Sequence, residues 1–126
     1  MTLYKLMIVG LGGFLGSVAR YITVRFIDGK LNALIPYGTL AVNVIGSFLL
    51  GIIYMLVLRK TGSTDNARLF LGVGFCGGFT TFSAFALENF SLIQQKLIGT
   101  SLLYVAASIV AGILALAAGV WVSRFL

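Results

Sequence analysis

The sequence predicts an all-α membrane protein that crosses the bilayer four times. Two observations carry this. Only nine Lys or Arg and three Asp or Glu occur among 126 residues, whereas a soluble domain has about a quarter of its residues charged. Those few charges also bracket long apolar runs: Leu31–Leu58, Leu69–Leu87 and Leu97–Ser123 carry none, nor does the shorter Leu6–Ala19. A spanning helix needs roughly 20 mostly apolar residues. Hydrocarbon supplies no hydrogen bonds to the backbone, so each span is expected to be helical. The alternation of a membrane β-barrel is not present.

Helix one is expected over residues 2–27, with Arg20 tolerated near its end. Its start, Lys5 and an apolar run with small Ser17 and Ala19, has the outline of a cleavable signal. The glycines Gly10, Gly12, Gly13 and Gly16 suit helix packing instead, and the run is expected to remain as a span. Helix two is expected over 37–58, opened by Pro36, whose missing N–H is harmless there. The polar string Thr61-Gly62-Ser63-Thr64-Asp65-Asn66 reads as a water-exposed connector. Helix three is expected over 67–93 and helix four over 96–125, which makes residues 1–126 a single transmembrane domain.

The formal charge of +6 is spread along the ends of the apolar runs, so no basic patch is left for nucleic acid. One cysteine, Cys76, and no histidine exclude an intrachain disulfide, a Ser-His-Asp triad and histidine metal sites. Asp28 and Asp65 fall in expected connectors and leave only Glu88 within a span, so an enzyme is not expected. Four spans place both termini on one side with five cations, Lys5, Arg59, Lys60, Arg68 and Arg124. The other side has four, Arg20, Arg25, Lys30 and Lys96. Orientation follows an imbalance of positive charge. Five against four lets either insert, and a chain inserted both ways can form an antiparallel dimer.

Small residues recur four apart at Gly12/Gly16, Ser47/Gly51, Ser108/Gly112 and Ala115/Gly119, a spacing that lets helix backbones approach in lipid. The third span concentrates glycine and threonine over Gly77-Gly78-Phe79-Thr80-Thr81. Such residues sustain a helix poorly. Two readings stand: a helix broken at Gly77–Thr81 with backbone groups freed for an ion, or a kinked packing helix whose threonines bond their own turn. Asn43, among Val42, Val44 and Ile45, needs a partner, because an unpaired amide in hydrocarbon costs about 4–8 kcal/mol. Phe82 and Phe85 share a helix face, and aromatic ring edges are electropositive.

The string Gly77-Gly78-Phe79-Thr80-Thr81-Phe82-Ser83-Ala84-Phe85 with Glu88, and Gly38-Thr39-Leu40-Ala41-Val42-Asn43, closely resemble the signature of the Fluc (CrcB) family of fluoride channels. The likeness extends to Gly16, Arg20, Tyr104 and Ser108, and to the length and span number. It implies a fluoride-selective channel of the bacterial inner membrane that exports fluoride passively and confers fluoride resistance. The implied assembly is an antiparallel, dual-topology homodimer with two pores. Along each pore the resemblance places Asn43, Phe82 and Phe85, with Thr81, Ser83, Tyr104 and Ser108 near them and Arg20 at the vestibule. It further implies a structural Na+ at the dimer centre, held by main-chain carbonyls of Gly77 and Thr80. Gly112 stands where some relatives have a second hydroxyl. Glu88 is a candidate gating or capping group, expected outside the narrow pore and within reach of water or a cation near Gln94-Gln95-Lys96. The alternatives are a small multidrug-type proton or cation exporter, which would want a carboxylate within helix one, and a non-conducting assembly subunit.

Overall fold

The computed structural model describes residues 1–59 and 65–126, with Leu58 and Arg59 as backbone alone. Among the described residues, four helices are long and apolar enough to cross a membrane: Leu3–Leu31, Tyr37–Val57, Asp65–Gln94 and Ile98–Ser123. We label them α1 (Leu3–Leu31), α2 (Tyr37–Arg59), α3 (residues 65–79) and α4 (Phe82–Gln94), which together form the third span, and α5 (Ile98–Ser123). Of the polar connector expected at 61–66, only Asp65 and Asn66 fall within the described residues.

Helix α1 starts where Thr2 accepts the Lys5 N–H on its side chain. It continues past the expected end at 27 and stops at Asn32, which adopts the left-handed conformation (φ 41°) that closes many helices. Asp28 is thereby a helical residue rather than a connector residue. Its Oδ1 accepts the Gly38 N–H at 2.9 Å. The residue before α2 is Pro36, which has no capping side chain, so a carboxylate from α1 satisfies one of the free N–H groups and faces the positive end of the dipole.

Two close helix crossings form the body of the protein, α1 against α3 and α2 against α5. Glycines make both possible. A methyl on Gly12 or Gly16 would run into the carbonyl oxygens of Phe70 or Phe75, and one on Gly78 would lie 2.6 Å from Gly13 O. At the second crossing Gly51 faces Leu116 O and Gly119 faces Phe48 O. Lipid tails are as apolar as leucine, so helix association rests on such contact rather than on expulsion of water. Of the small-residue pairs in the sequence, Gly12/Gly16 serve together, while Gly51 and Gly119 meet carbonyls of the partner helix. Bulky residues such as Phe14, Leu102, Ile113 and Leu114 point outward. Val42, Thr39 and Tyr104 are buried inside.

Valine at Gly16 is expected to push α1 off α3 and cost about 3 kcal/mol. Gly10 has nothing within 4 Å of an added methyl, and alanine there should be neutral or stabilise by up to about 1 kcal/mol. Thermal loss of the monodisperse detergent-solubilised species measures both.

Candidate functional site

The third span does not run as one regular helix. Arg68–Cys76 is wound as a π-helix, Gly77–Phe79 returns to α-helix, and Thr80 and Thr81 are extended. The glycine pair Gly77-Gly78 is helical, so the extended residues are the threonines that follow it. Thr80 ties back to the helix it leaves, its N–H and Oγ1 both reaching Cys76 O at 3.0 and 2.8 Å. Thr81 caps the helix that follows, accepting the Ala84 N–H at 3.1 Å.

Extended backbone within a membrane span needs a partner from outside the segment. Asn43 of α2 supplies it. The Thr81 N–H donates to Asn43 Oδ1 at 2.7 Å and Asn43 Nδ2 donates to Thr81 O at 3.1 Å. The amide thus serves residue 81 much as a neighbouring strand would. Ser47, one turn on, donates to Asn43 O at 2.7 Å. On the other side Arg20 Nε donates to Gly78 O at 3.0 Å.

This arrangement also diverts two backbone donors from the carbonyls that a continuous helix would give them. In a continuous helix Gly77 O would accept from the Thr81 N–H and Thr80 O from the Ala84 N–H. Those donors are given to Asn43 and to Thr81 Oγ1.

Beside the interruption lies a groove of about 420 Å³ open on one side, with α2, α3, α4 and α5 contributing walls. Asn43, Gly77, Thr80, Thr81, Phe82, Phe85 and Ser108 of the expected site line it, together with Gly112. No lining residue carries a charge. Ser108 Oγ is buried and makes no hydrogen bond among the described residues. Phe82 is 79 % exposed, and its ring sits 5.7 Å from that of Phe85.

Four expected residues lie elsewhere. Arg20 is bound to the α3 carbonyl just described, and Ser83 faces outward with its hydroxyl 3.4 Å from that of Thr81. Tyr104 stands behind Phe85, ring to ring at 5.1 Å, fully buried and with its hydroxyl committed to Glu88 Oε1 at 2.8 Å. Thr39 donates to the other Glu88 oxygen at 2.6 Å. Two hydroxyls therefore hold Glu88, where water or a cation at the 94–96 connector was expected. The ion pairs among the described residues involve Asp65 alone, with Lys5 and Arg68.

Sequence reasoning missed Thr39, and also Asn89 and Ser101, a buried pair between α4 and α5. Thr39 had a signal: it lies one turn before Asn43 on the same face of α2.

A family model described as "CrcB-like protein, Camphor Resistance (CrcB)" matches residues 7–120. The chain belongs to the CrcB family. It is 43% identical over 122 residues to a protein of Chelativorans sp. (strain BNC1), covering 97% of this chain and 98% of that one. It is 40% identical over 126 residues to one of Hahella chejuensis (strain KCTC 2396), covering 100% and 99%. A third, from Caulobacter vibrioides (strain NA1000 / CB15N), is 45% identical over 121 residues, with 95% of each chain covered. All three are named "Fluoride-specific ion channel FluC".

In this CrcB chain Asn43→Leu is expected to leave both Thr81 backbone groups unpaired, at about 1–3 kcal/mol for each. A fall in the thermal midpoint of the purified protein, larger than that of an outward-facing Leu114→Ala change, checks it.

Proposed function

We propose that the chain is a fluoride-selective channel through which fluoride leaves the cell passively, as a multi-pass protein of the bacterial plasma membrane. The observation that carries the reading is likeness along essentially the whole chain to proteins named as fluoride-specific channels. The groove supports it chemically. Fluoride is small and strongly hydrated, so a route must offer hydrogen-bond donors in place of water without a fixed charge that would trap the ion. The unbonded hydroxyl of Ser108, the remaining N–H of Asn43 and the rings of Phe82 and Phe85 meet that need in a wall without lysine or arginine. Ring edges present partial positive charge to an anion.

The working unit in this reading is an antiparallel homodimer. An open groove edged by the exposed Phe82 ring leaves a side for a second copy to close, and the near-even cation count permits both insertions. The carbonyls of Gly77 and Thr80, whose helical donors are diverted, suit a structural Na+ between the two copies, since unwound backbone carbonyls are the usual sodium ligands inside membranes. Bound there, the ion would supply positive charge to join the two interruptions. In this reading Arg20, bound to Gly78 O, belongs to the vestibule, Ser83 adds a hydroxyl beside Thr81, Tyr104 backs Phe85, and Glu88, held by Thr39 and Tyr104, acts as a gating or capping group beyond the groove. The exporter alternative loses ground because the acidic residue in α1, Asp28, caps α2.

Purified protein in liposomes loaded with fluoride should release it rapidly to an ion-selective electrode, while chloride stays inside. Phe82→Ile and Asn43→Asp should abolish release. Vesicles as fluoride-tight as protein-free ones would sink the reading. For orientation, C-terminal reporters that work only in the cytoplasm or only in the periplasm should both give signal. Signal from one alone would remove dual topology.

A further inference from the structure

We infer that the buried Asn89–Ser101 pair is a positioning device that sets how α4 presents Phe85 to the groove. The inference rests on the fluoride-channel reading and assigns the pair a role in permeation without contact with the ion.

Helix α4 carries both groove phenylalanines, yet extended residues precede it and a turn at 95–97 follows it, so it cannot inherit its rotation from α3. Three sets of polar contacts fix it to neighbouring helices. The Asn43–Thr81 pair and the Thr39–Glu88–Tyr104 group involve residues of the site. In the third set the two side chains, Asn89 and Ser101, do not line the groove. Ser101 Oγ of α5 donates to Asn89 Oδ1 at 2.8 Å, and Asn89 Nδ2 donates to Phe85 O at 2.9 Å. Asn89 is 8 % and Ser101 4 % exposed.

These bonds close a ring of contacts. From the Phe85 carbonyl the path runs through Asn89 to Ser101, one helical turn along α5 to Tyr104, and back to Phe85 through the rings 5.1 Å apart. Apolar side chains would hold two helices together with little preference for rotation. A hydrogen bond demands a distance and an angle, so this pair fixes the roll of α4 against α5 and with it the direction of the Phe85 ring. Asn89 is held at both ends of its amide, by one donated and one accepted bond, and it does not line the groove.

The test is fluoride and chloride efflux from liposomes for the parent, Ser101→Ala, Ser101→Thr and the double variant Asn89→Leu/Ser101→Ala. Ser101→Ala should slow fluoride efflux about tenfold, the weight of one hydrogen bond, and lower the fluoride-over-chloride ratio. Ser101→Thr keeps the hydroxyl and should stay within about twofold of the parent. The double variant leaves no buried polar group unpaired and so should match the parent in thermal midpoint, yet remain slow and less selective. It carries the test if Ser101→Ala folds poorly. A smaller amount of folded channel lowers the rate and leaves the ratio alone, whereas a misdirected ring changes both. Parental rate and ratio in the double variant would overturn the inference. Fluoride retention by the parent would instead bring down the channel reading on which it rests.

Discussion

Two extended residues in the middle of a membrane span are the constraint on which the rest of this structure depends. Thr80 ties its N–H back to Cys76 O, but neither lipid nor the adjoining helix satisfies the backbone of Thr81, and the amide of Asn43 meets that need with one donor and one acceptor in the spacing of a peptide group. Helix α4 can then begin at an angle of its own. The carbonyls that would have continued α3 lose those helical donors, and Phe82 and Phe85 stand beside a groove rather than inside a packed crossing.

The molecule divides into parts held by different forces. At the α1–α3 and α2–α5 crossings, glycines bring backbones together, and almost any side chain there would force them apart. Such contacts are insensitive to charge and resist sliding. Helix α4 is tied mainly through polar groups, at Thr81, Glu88 and Asn89. A rigid frame therefore supports an element whose placement depends on a few directional bonds, and that element carries the groove phenylalanines.

Much of this was legible in the sequence because the membrane reduces the options. Scarce charge and uninterrupted apolar runs pointed to four helical spans, and the crowding of glycine and threonine marked where the third would be irregular. The need of Asn43 for a partner was also readable, although the partner was not, since nothing local links positions 43 and 81. Asp28 was assigned to a connector because it follows Ile27 in a polar stretch. Its reason for being helical, a free N–H on α2, exists only once two helices lie side by side. Tyr104 and Glu88 each looked like independent site residues, whereas they satisfy one another. Pairing across helices is the information that a pattern along one helix does not hold.

The α2–α5 crossing bears on how the chain is made. The second span emerges from the ribosome well before the fourth, yet its closest neighbour is that last helix. Asn43 must likewise await Thr81, thirty-eight positions downstream. Synthesis proceeds at about 5–20 residues per second, so both partners of the Asn43 amide and of the Gly51 seam are made after α2 itself. The folded protein thus joins helices that are distant in sequence, α2 with α5 and α2 with Thr81, rather than only neighbouring hairpins.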